Sequence, residues 1–345
     1  MTIPGISRTC IYVAAGRAIG ALDPDPAVRN PDHLAERLLG DATVFGVDHP
    51  TVRALGKPYD EAMADVQVVN TVRMMMIRTR FIDAALERAV ADGATQVVIL
   101  GAGFDTHAYR CQELLKSVRV FEVDRASTQA LKRERVLAAI GSVPPNLTYV
   151  SIDFQHDDLG DVLAGHGYDR TQRTFFIMEG VTMYVPEEGV RRTLQFVGQH
   201  PPGSTIVFDF VPKAMIDMIA AIDMNRVPES ARAFVQRFLD LIKDEPWVFG
   251  IPLGGLEAFL NDVGLEQREV LAIGGPESVA RYLTKADGTH VGAAAVGELM
   301  ARAAAQAAKD LEAMTPEQRA AQERMREQQR QMAYQLVDAV VRAEV

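Results

Sequence analysis

Two glycines and a set of acids stand where short apolar runs end. Gly101 and Gly103 follow Val97–Leu100, Glu122 and Asp124 close VRVFEVD, Asp153 follows LTYVSI, and Glu179 follows TFFIM. Brought to one edge of a sheet, such residues bind a small polar molecule. A glycine lacks Cβ, takes positive φ and lets a ligand approach the main chain. A carboxylate about 20 residues past the glycines is placed to accept both hydroxyls of a ribose, and Glu122 and Asp124 are both candidates. Asp153 can accept a hydrogen bond from an adenine amino group while the adjacent Phe154 ring packs on the base. Alone, an acid at a strand end is an ordinary cap. Convergence gives these residues their meaning.

The stretch VVILGAGFDTHAYR decides which nucleoside the loop suits. A buried strand delivers the chain into a tight turn, and Asp105 and Thr106 supply the polar cap of the next helix. A pyrophosphate loop needs a third glycine, G-x-G-x-x-G, where Thr106 stands here. Asp105 adds a negative charge where phosphates would lie, so NAD is disfavoured. A cationic nucleoside such as S-adenosylmethionine (SAM) meets no such conflict. His107, His156 and His166 lie near these motifs and are expected to be surface or loop residues rather than general bases.

The elements that must position these residues alternate strand and helix after Gly101, the signature of a doubly wound parallel sheet. Strands are expected at 118–123, 147–152, 174–178, 205–210 and 265–272, with a final antiparallel strand near Val279–Leu283. Before the glycine loop, helical spacings run through 7–22, 32–39 and 59–91. In the last of these, Met74, Met75 and Met76 read as core filler. Arg78 and Arg80 read as solvated on composition, unless one reaches a ligand carboxylate. Residues 211–250, with Trp247, read as a helical lid insertion whose apolar side chains either pack or wall a substrate pocket. Beyond 291 the pattern reads as two helices parted near Pro316, with Met325, Met332, Leu336 and Val340 on one face. That tail either packs on its own chain or pairs two copies as a homodimer.

With 345 residues, 48% of them hydrophobic, the chain can bury a large core. Its net charge of −10 argues against a nucleic-acid partner. Cys10 and Cys111 are too far apart in sequence to suggest a zinc or disulfide scaffold. No apolar run reaches the ~18 residues of a membrane span, and no signal pattern opens the chain, so a cytoplasmic protein is expected.

In this order and spacing, LGAGFDTHAYR, FEVDRASTQALKRER, YVSIDF and FIMEGVTMYVPEE resemble the leucine carboxyl methyltransferase family, which includes bacterial SAM-dependent O-methyltransferases of polyketide metabolism. ISRTCIYVAAGRAIG and IRTRFID extend the resemblance to about residues 6–275. It implies a class I SAM-dependent methyltransferase fold, α/β with a Rossmann-like doubly wound sheet. Helices would be added at 1–90, the core would span 91–290 with the lid at 211–250, and a helical tail would cover 291–345. By resemblance, Arg78 pairs with the SAM carboxylate, Gly101 lies beside the methionine part, and Asp124 rather than Glu122 holds the ribose. Asp153 and Phe154 hold adenine, although Leu is more usual at 154. Glu179 lies near the SAM amino group and Tyr184 faces the methyl-transfer site. His107 stands where Arg is usual.

The expected activity is SAM-dependent methylation of a small-molecule oxygen, a polyketide-type carboxylate before a hydroxyl, because a carboxylate needs no base. A nucleotide-binding oxidoreductase or a non-catalytic adenosyl-binding protein is the alternative on the same fold.

Overall fold

The computed structural model describes residues 7–153, 156–243, 245–295, 297 and 332–342. Seven strands form one sheet: β1 (Gln96–Leu100), β2 (Arg119–Asp124), β3 (Leu147–Ser151), β4 (Thr174–Met178), β5 (Thr205–Phe210), β6 (Leu265–Ala272) and β7 (Gln335–Val341). Their order is β3-β2-β1-β4-β5-β7-β6. β1 to β5 are parallel, and β7 runs antiparallel between β5 and β6. This is the doubly wound, mostly parallel sheet expected from the alternation of strand and helix.

The central strands are apolar on both faces because helices cover both. Val97, Ile99, Val120, Phe175, Ile177 and Val207 join one core. Their neighbours Val98, Leu100, Phe121, Val123, Phe176, Met178, Ile206 and Phe208 join the other. Such continuous apolar runs are what a doubly covered parallel sheet requires. The strand order reverses between β1 and β4, and there the register sets Ile99 beside Ile177. Consequently Gly101 and Glu179, just past the two strand ends, become neighbours across the crevice where open α/β sheets bind ligands.

The first helix, Arg8–Gly20, packs across the long helix Val66–Ala91. The latter begins at Asp65, whose side chain accepts a hydrogen bond from the Gln67 N–H. Met75 and Met76 are fully buried, as core filler should be, whereas Met74 lines the site cavity. The expected 59–91 helix is broken, since Tyr59–Ala62 is a separate turn of helix. Residues Lys213–Ala220 and Glu229–Ile242 are helical, as expected of the insertion. No described helix is long and apolar enough to cross a membrane.

Two expectations are corrected at the end of the chain. Val279–Leu283 is not the antiparallel strand, because Pro276–Tyr282 forms a helix with Pro in its first turn and Glu277 near its N-terminus. The antiparallel strand is instead Gln335–Val341, within the stretch expected to be helical. A short apolar run such as LVDAVV does not distinguish strand from helix by periodicity. Its β-branched valines fit the slot between β5 and β6, and Asp338 is paired there with Arg88 at 2.9 Å. This strand therefore packs on its own chain. The remainder of the tail, where the homodimer contact was expected, lies outside the described residues except for 291–295, 297, 332–334 and 342.

Val337 is fully buried between β5 and β6. Val337→Ala should cost about 2 kcal/mol in urea denaturation with an unchanged m-value. A loss under about 0.5 kcal/mol, as at a solvated position, would contradict this placement.

Candidate functional site

The C-terminal ends of β1, β2 and β4 open into a cavity of about 430 Å³. Arg78, Gly101, Gly103, Asp124, Glu179 and Tyr184 all line it, so the structure brings together most of the residues singled out from sequence. Asp153 is not in the lining. It is exposed beyond β3, 3.0 Å from His156. Phe154 lies outside the described residues.

Three buried charged side chains hold the glycine loop. The Gly103 N–H donates to Asp124 Oδ2 at 2.7 Å, Lys132 Nζ donates to the Ala102 carbonyl at 3.3 Å, and Arg17 donates to the Phe104 carbonyl at 2.7 Å. Gly101 has a φ of +66°, and a Cβ there would lie 2.6 Å from Val181 Cγ2, so both backbone and space require glycine. Lys132 is neutralised by Glu122 at 2.8 Å and Arg17 by Asp32 at 2.7 Å. Glu122 is thereby committed, and it also accepts a hydrogen bond from the Tyr109 hydroxyl at 3.0 Å. Burial pushes the Glu122 carboxyl up to about 7, with Lys132 opposing. Asp124 instead stays on the cavity wall. It also accepts from the Arg125 N–H at 2.6 Å, and its carboxylate keeps lone pairs for further donors.

Arg78 is only 4% exposed, which overturns its reading as a solvated residue. Its Nε lies 2.6 Å from Glu179 Oε1, and its Nη1 donates to Asp209 Oδ2 at 3.4 Å. Asp209 also accepts from the Gly180 N–H at 2.8 Å and the Tyr334 hydroxyl at 2.8 Å. Burial pushes the Asp209 carboxyl up to about 6, against the downward pull of Arg78. One cation facing two carboxylates leaves this corner able to take further positive charge. Arg80, by contrast, is not in the cavity lining, and its guanidinium donates to the Arg29 carbonyl.

His107 is corrected as well: at 3% exposed it is neither a surface nor a loop residue. It lies 2.7 Å from Asp105 and 3.0 Å from Asp83, which also pairs with Arg110. Burial opposes its charge, but Asp105 and Asp83 outweigh that and push it up to about 9. Asp105 therefore does not stand bare in the loop. The case against a pyrophosphate rests on Thr106, at the place of the third glycine. His156 and His166 are exposed, as expected.

The other end of the cavity is built by Ser7 and Thr9, at the start of the first helix, with Tyr184 and with Phe238, Glu245 and Trp247 from the insertion. Glu245 Oε2 accepts from Ser7 at 2.8 Å and Thr9 at 3.3 Å. The Val248 N–H donates to the Met183 carbonyl at 2.7 Å, tying the insertion to the segment that carries Tyr184. Trp247 meets Phe238 edge to face at 5.6 Å. Burial raises the Tyr184 hydroxyl above the ordinary tyrosine range.

Sequence reasoning missed Arg17, Asp209, Tyr334 and Glu245. Asp209 carried the same signal as the other acids, a carboxylate closing an apolar strand in TIVFDF. Nothing local marked the rest, because their partners are far away in the chain.

A reversing parallel sheet with a glycine turn and strand-end acids around one cavity is the Rossmann-like arrangement. Residues 10–198, more than half the chain, match the model of the family described as leucine carboxyl methyltransferase, and the chain belongs to that family. A Bacillus subtilis relative with the provisional name S-adenosyl-L-methionine-dependent methyltransferase is 38% identical over 41% of this chain and 46% of its own. Similarly named relatives from Frankia alni and Streptomyces coelicolor are 34% and 30% identical, over 56% and 71% of this chain and 64% and 82% of theirs. The chain thus covers less than two thirds of the Bacillus and Frankia relatives. Among solved structures, a provisionally named methyltransferase from Thermobifida fusca aligns at 15% identity with a TM-score of 0.47, over 94% of this chain and 98% of its own.

The His107 cluster has a pH signature. Its folded-state pKa of about 9 exceeds the unfolded value, so its contribution is complete below the unfolded pKa and is lost as pH rises through the folded one. The melting temperature should fall between about pH 6.5 and pH 9, and His107→Gln should flatten that fall. Parallel profiles for the two proteins would assign the pH dependence elsewhere.

Proposed function

We propose that the cavity binds SAM and that the protein transfers its methyl group to an oxygen, carboxylate or hydroxyl, of a small, largely apolar acceptor such as a polyketide-type acid. The observation that carries this reading is the pairing of Arg78 with Glu179 at 2.6 Å beside the glycine loop. A cation and an anion so placed match the carboxylate and ammonium of an amino acid. The excess of carboxylate over guanidinium in that corner favours a ligand that brings an ammonium. The cavity volume also lies within the ~300–1,000 Å³ range of small-molecule sites.

In this reading Arg78 takes the carboxylate and Glu179 the ammonium. Gly101 and Gly103 admit the ligand close to the backbone, and Asp124 accepts the ribose hydroxyls. By resemblance to the family, Asp153 and Phe154 are proposed to hold the adenine. When bound, SAM supplies a methyl group already activated on a sulfonium, so side chains need mainly to orient the acceptor and exclude water. Tyr184 is proposed to face the transfer point, with Trp247 and Phe238 as the acceptor wall.

Calorimetric titration with SAM, S-adenosylhomocysteine and NAD tests this. The two adenosyl ligands should bind, NAD should not, and Asp124→Ala should weaken SAM by about tenfold or more, as loss of hydrogen bonds to ribose predicts. Binding of NAD alone would replace the reading with that of a nucleotide-binding oxidoreductase. Trp247→Ala should weaken the acceptor more than SAM, and equal losses would reduce Trp247 to packing.

A further inference from the structure

The two ends of the cavity differ in charge, and on that difference the acceptor class can be argued further, given that SAM takes the glycine-loop end. The cations in the lining are Arg17, Arg78 and Arg125. Arg17 is paired with Asp32, Arg78 stands between Glu179 and Asp209, and Arg125 follows Asp124 at the end of β2. The wall made by the start of the first helix and the insertion contains one carboxylate, Glu245, and no cation among the described residues.

That wall offers an open carboxylate oxygen, together with the Tyr12 and Tyr184 hydroxyls and the Trp247 indole. Glu245 Oε2 is occupied by the Ser7 and Thr9 hydroxyls, which leaves Oε1 without a donor among the described residues. The Trp247 Nε1–H is buried, and the Tyr184 hydroxyl is its polar neighbour on the cavity wall. A hydroxyl both donates and accepts, so it can give its proton to Glu245 while accepting from a neighbouring donor of the wall. A carboxylate only accepts, and here it would face a second carboxylate across a partly desolvated space.

We infer that the acceptor is a neutral molecule carrying an alcohol or phenol hydroxyl, recognised by Glu245, rather than a carboxylic acid. On transfer, the acceptor oxygen bonds the methyl carbon as the S–CH3 bond breaks. The electron pair of that bond stays on sulfur, and the hydroxyl proton passes to Glu245. The product is a methyl ether, with S-adenosylhomocysteine as the other product. This reverses the order of preference that the chemistry of unassisted nucleophiles suggests.

Trp247 is the only tryptophan, so its fluorescence reports on this wall alone. The protein saturated with S-adenosylhomocysteine is titrated at neutral pH with hydrocinnamyl alcohol and with hydrocinnamate, which share one apolar frame. The alcohol should shift the emission at concentrations about tenfold or more below the carboxylate. Glu245→Gln keeps an oxygen for Ser7 and Thr9 but removes the charge, and should bring the two within about threefold. Tighter or equal binding of the carboxylate, a ratio unchanged by Glu245→Gln, or no response to either compound would overturn the inference. Failure to bind S-adenosylhomocysteine in calorimetry would remove the methyltransferase reading itself, a result distinct from any of these.

Discussion

A guanidinium buried in the middle of a long helix is the constraint on which the functional half of the molecule depends. Arg78 cannot shed its charge, and leaving it unpaired out of water would cost several kcal/mol. The fold must therefore bring carboxylates to it, and it brings two from different strands, Glu179 past β4 and Asp209 in β5. Asp209 in turn needs the Gly180 N–H and the Tyr334 hydroxyl. Long helix, β4, β5 and the segment entering β7 thus converge through one side chain. The late placement of β7 between β5 and β6 follows the same logic, since it delivers Tyr334 to the Asp209 carboxylate.

The glycine loop is held by charge in a comparable way. A turn made of residues without side chains has little to pack, so its carbonyls and N–H groups are fixed by Lys132, Arg17 and Asp124. The two cations are matched by Glu122 and Asp32, which spares Asp124 for the cavity. The loop's shape is set before a ligand arrives, and such preorganisation lowers the entropic cost of binding.

The parallel strands and the glycine turn were legible in the sequence because they are local. A continuous apolar run ending in glycine or acid is visible in a window of a few residues, and β1 to β5 fall close to their expected places. Arg78 was singled out from Arg80 only by resemblance. Its burial depends on partners 101 and 131 positions away, and composition alone made it a surface residue. His107 was misplaced for a similar reason, since Asp83 comes from another helix. β7 was illegible because LVDAVV fits either periodicity, and only the vacant slot between β5 and β6 decides. Asp209 was legible in principle, by the same strand-end rule that found Glu179.

The acceptor end was the least legible part, and the reason is physical. In the proposed reading the glycine-loop end is dictated by a ligand with fixed charges, so its residues must fall at fixed places on the sheet. The acceptor end lies on an insertion and on the start of a helix, elements the sheet does not specify. Ser7, Thr9 and Glu245 become one group only when those elements meet, with 236 positions of chain between Thr9 and Glu245. A carboxylate substrate seemed economical from the chemistry of the nucleophile, since it needs no base. Once Glu245 stands on the wall, that economy is outweighed by repulsion between like charges, and the same carboxylate supplies the base that a hydroxyl lacks. In that reading, the residues that fold the insertion onto the first helix are the residues that choose the acceptor.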